Sequence, residues 1–236
     1  MTLRTHDLLY LDENRYEGTK ESFKFTLHSA LEFAGQEPKT VLDVGCAAGE
    51  FPFFLVRALR DAQTHGMDVL PELIDKAREN VPEATFSVGS VLDLGAIDKT
   101  YEMVFLVGVH SIFDEIEPWL SNLLKWTTSG GTVAVFGLIN SHPIDVFVRA
   151  RSQSDASEHR EPGWNNFSRA TFEGLLDSRE DVSRYAFVDF VIPIDLEPHP
   201  DNPLRSWTEK RDTGERFIVN GLGLIHDFKV MCIQKK

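Results

Sequence analysis

Cysteine is scarce in this chain: Cys46 and Cys232 are the only two in 236 residues, and they lie far apart. That spacing supports neither a disulfide framework nor a zinc site, so no metal is expected, and a reducing cytoplasm is the expected location. No uninterrupted apolar run of about 18 residues occurs, which excludes a transmembrane helix. The first twenty residues are charged and polar, without the apolar core and small-residue cleavage site of a secretory signal. Cations are also in short supply, with 24 Lys and Arg against 37 Asp and Glu and a formal net charge of −13. A protein of that sign repels phosphate backbones, which argues against nucleic acid as the main partner. Internal repeats and low-complexity tracts are missing as well.

What is present is a regular rhythm. Short apolar runs at residues 40–44, 64–67, 85–88, 103–109 and 132–138 end in Gly, Asp or a turn, and most lead into helical periodicity. Residues 17–34 place Phe23, Leu27, Ala30, Leu31 and Ala34 on one face, with Gly35 as a stop. Residues 50–60 do the same with Phe51, Phe54, Leu55, Ala58 and Leu59, and Pro52 falls in the first turn, where its missing N–H costs little. Pro71 opens a helix to residue 80, and Ile116, Leu120, Leu123 and Leu124 line up over 115–125. Continuous apolar strands alternating with helices predict a parallel sheet covered on both faces, an α/β doubly wound domain. After Asn140 the rhythm breaks. A short helical piece is expected over 143–150, and a helix capped by Ser168 runs to about Asp177. Closing strands are expected over 185–194 and 225–234, with a small hairpin around Thr213-Gly214.

The first apolar run enters Gly45-Cys46-Ala47-Ala48-Gly49 and then a helix. Small side chains there let a ligand approach the backbone at the carboxyl edge of the sheet. The loop is G-x-x-x-G rather than the G-x-G-x-x-G of dinucleotide folds, and Glu50 at the helix start would repel a pyrophosphate. No triphosphate-binding motif is present. Asp68 ends the second strand, 19 residues after Gly49, the place for a carboxylate that grips ribose hydroxyls.

The stretches VLDVGCAAGEF, HGMDVLPELIDKAREN and FSVGSVLDL, in that order, resemble the class I S-adenosylmethionine-dependent methyltransferases over residues 38–138. The resemblance implies a doubly wound, mostly parallel seven-stranded sheet, Rossmann-like, with an antiparallel C-terminal strand. It implies S-adenosyl-L-methionine as cofactor. Asp43, Gly45, Cys46, Ala47 and Gly49 would hold its methionine part, Asp68 the ribose, and Val69, Ser90 and Val91 the adenine. Many relatives carry an acid where Ser90 stands and a glycine where Ala47 stands. Val107 and Gly108, followed by Val109 and His110, would line the methyl-transfer site. The implied organisation is one methyltransferase domain: residues 1–37 as arm and first helix, 38–140 as cofactor core, 141–224 as substrate-side helices, closing strand and lid insertions, and 225–236 as last strand.

On the acceptor side His110, Asp114 and His142 are the candidate acid–base residues near the carboxyl ends of the fourth and fifth strands. A general base is needed only where the nucleophile must lose a proton, and a histidine bonded to backbone at a strand end is the competing reading of His110. Residues 149–169 carry four arginines against three acids in a strongly acidic chain. Arg149, Arg151 and Arg169 suit bidentate binding of a carboxylate or phosphate, and Trp164 and Trp207 suit stacking against a ring. Tyr10, Arg15 and Tyr16 would close over the cofactor. The expected activity is methylation of a small molecule, on oxygen, in a sugar, cell-surface saccharide or natural-product pathway. The competing readings are N-methylation of an amine and non-catalytic cofactor binding by a partner protein. The expected partner is the small-molecule acceptor, with neither nucleic acid nor membrane, and homodimerisation is left open.

Overall fold

In the computed structural model the apolar runs become strands and the amphipathic stretches become helices on both faces of one sheet. Residue 16 and residues 18–151, 160–200 and 202–236 are described. Along the chain the elements are α1 (Glu21–Ala34), β1 (Thr40–Val44), α2 (Glu50–Ala58), β2 (Gln63–Asp68), α3 (Pro71–Asn80), β3 (Thr85–Val88), β4 (Tyr101–Val107), α4 (Glu117–Lys125) and β5 (Thr127–Asn140). There follow three two-residue strands, β6 (Arg149–Ala150), β7 (Glu161–Pro162) and β8 (Phe167–Ser168), then α5 (Arg169–Asp177) and β9 (Val182–Asp189). The chain closes with β10 (Trp207–Lys210), β11 (Arg216–Val219), β12 (Ile225–His226) and β13 (Phe228–Lys235).

The main sheet runs β3-β2-β1-β4-β5-β13-β9, with β8 paired to the end of β5. The first five of these strands are mutually parallel, and β13 is antiparallel to both its neighbours, so it is the one reversed strand in the row. This is the mostly parallel sheet with a reversed C-terminal strand that the family resemblance implies.

Period-2 alternation explains how both faces are filled. In β4, Met103 and Phe105 join the cluster under α1 and α2, which includes Phe23, Leu27, Phe51 and Leu55. Val104 and Leu106 face the other way, into the cluster under α4 and α5, with Trp119, Leu120, Phe172 and Leu176. Ser168 caps α5 as expected, its hydroxyl accepting from Thr171 N at 3.1 Å.

Three local expectations differ. Residues 143–150 are not helical: Val146 pairs with Asn166 in an antiparallel bridge, and β6 pairs with β7. Asp145 draws the segment toward α5 instead, accepting from Ser168 N at 2.6 Å and from the Thr171 hydroxyl. β5 begins at Thr127, earlier than the apolar run, because Gly130 at φ +75° and Gly131 carry the strand through an irregular register beside Glu102. β9 lies at Val182–Asp189 and ends before Pro193.

Candidate active site

The carboxyl ends of β1, β2, β3 and β4 open into a cavity of about 400 Å³. The β1–α2 loop forms its floor. Gly45 and Gly49 both have left-handed backbones, at φ +77° and +89°. A Cβ on Gly45 would stand 2.5 Å from Val109 Cγ2, and one on Gly49 would stand 3.0 Å from Ala77 Cβ. Both positions therefore need glycine for dihedral and for space. Ala47 adopts φ +47° without glycine's freedom, and its N–H is held by Asp68 Oδ2 at 2.9 Å. Asp68 Oδ1 accepts from Leu70 N at 3.1 Å, so one carboxylate ties the loop to the start of α3 and faces the cavity.

Two buried carboxylate oxygens there have no hydrogen-bond partner, Asp43 Oδ1 and Glu50 Oε1. Both residues line the cavity. Burial, reinforced by the charge of Asp68, pushes the Asp43 carboxyl well above the usual carboxylate range. The second oxygen of Glu50 accepts from Lys20 Nζ at 2.9 Å. Unsatisfied buried acceptors are costly, so this corner is built to receive a cationic hydrogen-bond donor. Tyr16 braces the loop from behind: its hydroxyl donates to Ala48 O at 2.7 Å and accepts from Asn80 Nδ2 at 2.8 Å. Tyr10 and Arg15 lie outside the described residues.

Residues 41–131 match the family model described as methyltransferase domain. The chain is 29% identical over 210 residues to the fatty-acid O-methyltransferase of Mycolicibacterium smegmatis, spanning 88% of this chain and 72% of that protein. It is 23% identical to the malonyl-[acyl-carrier protein] O-methyltransferase of Acetivibrio thermocellus, across 68% of this chain and 61% of that one. Among solved structures, the plantazolicin methyltransferase BpumL superposes with a TM-score of 0.59 at 17% identity, covering 98% of this chain and 89% of that chain. Over residues 41–131 the chain carries a methyltransferase domain, similar to those of the class I S-adenosylmethionine-dependent methyltransferases.

The donor set suits that family's cofactor: a ribose-competent carboxylate at Asp68, two orphaned carboxyl oxygens for an ammonium, and glycines where the backbone must be approached. Of the methyltransferase residues expected to hold cofactor, Asp43, Gly45, Cys46, Ala47, Asp68, Val69, Ser90, Val91, Val107 and Gly108 all line the cavity. Gly49 lies just outside it, at the head of α2, setting the distance between α2 and α3. Burial raises the Cys46 thiol well above its usual range, which fits a packing role.

The acceptor-side candidates are dispersed. His110 is fully buried and does not line the cavity; its Nε2 donates to Leu138 O at 3.0 Å and its ring packs among Trp119 and Phe172. Nδ1 has no partner, and burial pulls its pKa down to about 4. Asp114 is clasped by Arg149 Nη2 at 2.7 Å and by Asn165 Nδ2 at 2.9 Å, away from the cavity. His142 is exposed beyond β5, its N–H donating to Asn140 Oδ1. Arg169 pairs with Glu173 and stacks over Phe187, Trp207 donates to Glu209 across β10, and Arg151 is exposed. Trp164 holds a left-handed backbone at φ +58°. Within the described part of 141–224, the residue that reaches the cavity is Pro162.

Several lining residues were not assigned to the site from the sequence: Lys20, Glu50, Phe51, Phe113 and Phe136. Only Glu50 carried a signal, as an acid at a helix start where bare N–H groups prefer an anion.

Proposed function

We propose that this methyltransferase transfers a methyl group to a carboxylate oxygen of a small molecule. The observation that carries the reading is the composition of the cavity's acceptor half. From β4 onward its lining among the described residues is Val107, Gly108, Val109, Ile112, Phe113, Phe136 and Pro162, with no titratable side chain. An alcohol attacking there would find no base among the described residues, whereas a carboxylate is already ionised and nucleophilic at neutral pH. The same apolar wall offers no side-chain hydrogen bonds to a ring of sugar hydroxyls, so a small carboxylic acid fits it better than a saccharide. The fatty-acid O-methyltransferase similarity points the same way.

S-adenosylmethionine supplies a methyl group activated on a sulfonium. In this chain Asp68 holds the ribose, Asp43 and Glu50 receive the ammonium, and Gly45 admits the methionine backbone. Val107 to Val109 and Phe136 exclude water and hold the acceptor in line, a positioning effect worth several kcal/mol of barrier. His110 sits behind this wall and keeps the end of β5 in register. Residues 38–140 form the cofactor half under this reading, and 141–224 the acceptor side.

Product analysis tests it. With isotopically labelled cofactor, panels of carboxylic acids, alcohols and amines should yield label in a base-labile ester. Label found only in ethers or N-methyl products overturns the reading.

A further inference from the structure

Ten large apolar side chains are exposed among the described residues, and nine of them share one location. Each of the nine lies at or beyond the carboxyl end of a parallel strand, or on the segment leading into β13, whose start is at that same edge. The tenth, Leu94, lies on the short 3-10 helix Leu94–Ala96 between β3 and β4, its carbonyl accepting from Trp126 Nε1. Scattered apolar residues need no explanation, but segregation of this kind marks a binding surface.

An aromatic row connects the cavity to part of this rim. Phe136 belongs to the cavity wall. Phe228 stacks on it with ring centroids 5.3 Å apart and 5° between planes, and Phe190 meets it edge-on at 5.4 Å. His226 continues the row, edge-on to Phe228 at 5.5 Å, with both ring nitrogens buried and unpartnered. Burial keeps that imidazole neutral, its pKa drawn down to about 4, so the row carries no charge at neutral pH. The next residues outward are Val191, after Phe190, and Ile225, before His226, which are 77% and 61% exposed.

We propose that this row is the track for an apolar chain on the acceptor. The acceptor is an amphiphile whose carboxylate enters the cavity and whose alkyl chain crosses Phe136, Phe228 and Phe190 to the rim at Val191 and Ile225. The head group rests on the function proposed above, while the track rests on the exposed rim and the aromatic row. A chain of net charge −13 is repelled by an anionic bilayer, which favours a single amphiphile over a membrane surface.

The test uses straight-chain monocarboxylates from four to twelve carbons, below their micellar concentrations, with saturating cofactor. Specificity, kcat/KM, should rise about threefold to fourfold per methylene until the track is filled. A Val191→Asp, Ile225→Asp double variant should flatten that slope at unchanged Tm. Calorimetry with decanol, which has no carboxylate, supplies an independent readout: it should bind the parent and lose at least tenfold in affinity for the variant. Decanol binding without methylation of any acid would support the track and overturn the carboxylate head. Length-independent kcat/KM, or equal decanol binding to both proteins, overturns the track. So does a dimer that the double variant converts to monomer, since the rim would then be a contact between copies.

Discussion

The imidazole of His110 lies against Gly137 so closely that a Cβ on residue 137 would overlap the ring. Gly137 stands in β5 beside Leu138, whose carbonyl takes the His110 Nε2–H at 3.0 Å. Backbone and side chain are thus fitted as one unit behind the cavity. Gly137→Ala should expel the ring, and His110→Ala should leave both a void and an unpaired carbonyl, costing about 2–4 kcal/mol. Urea denaturation measures the loss. Activity per folded molecule should stay within a few-fold for His110→Ala; a fall in kcat of a hundredfold or more would make His110 the base.

Acid should weaken the fold through the same ring. The folded state holds His110 near pKa 4, against an ordinary value of 6.5, because burial disfavours the charged form. The unfolded chain therefore takes up the proton first as pH falls. Stability from neutral His110 is present above about 6.5 and is lost progressively towards 4, about 3 kcal/mol in all. His65 and His226 are drawn down to about 4 for the same reason and add to the slope. Urea midpoints at pH 7.5, 5.5 and 4.5 should decline in that order, and less steeply once His110 is replaced by Gln.

Asp43 has the opposite sign. Its folded pKa is raised by burial and by Asp68, so its contribution is complete below the ordinary carboxylate value and is lost as pH rises through the folded one. Above that folded pKa the cofactor-free protein carries a buried, poorly solvated charge there. Asp43→Asn should raise Tm without cofactor while weakening S-adenosylmethionine binding, a stability gain taken at the expense of function. Calorimetry and thermal melts on one preparation check both halves.

Asp68 combines two tasks, holding Ala47 and Leu70 backbone N–H groups while facing the cavity. Two hydroxyl hydrogen bonds to a carboxylate are worth about 1.5–3 kcal/mol. Asp68→Ala should weaken cofactor binding about tenfold or more. Calorimetric affinity equal to that of the parent would remove Asp68 from the ribose site.

The cofactor half was legible because its signals are local. A strand, a glycine-flanked loop and a helix follow one another from Thr40 to Ala58, and Asp68 is fixed by the end of its own strand. The acceptor half is assembled from pairings across long separations. Arg149 reads as a free cation in the sequence, yet Asp114, 35 positions away, already occupies it. His110 has the right address at a strand end, but the direction of its side chain is set by the missing Cβ at Gly137, which only the β4–β5 register brings alongside. Residues 143–150 have helical spacing, but Asp145 binds Ser168 and Thr171 and leaves the backbone extended. Phe136 was recognisable as a strand residue and not as a wall, because which of two faces it serves depends on its neighbours.

The reversal of β13 settles how much chain can stand at the cavity side between two strands of the sheet. A parallel strand in that slot would have to be entered from the far side of the sheet, and the connection from β9 would spend its length crossing back. Running antiparallel, β13 starts where β9 stops, so residues 190–227 both leave and return at the cavity side. That excursion carries β10, β11 and β12 and makes few demands on the sheet beneath it. It can be lengthened, shortened or exchanged without moving Gly45 or Asp68, so under the proposed function it would be a replaceable part for substrate choice beside a fixed one for cofactor.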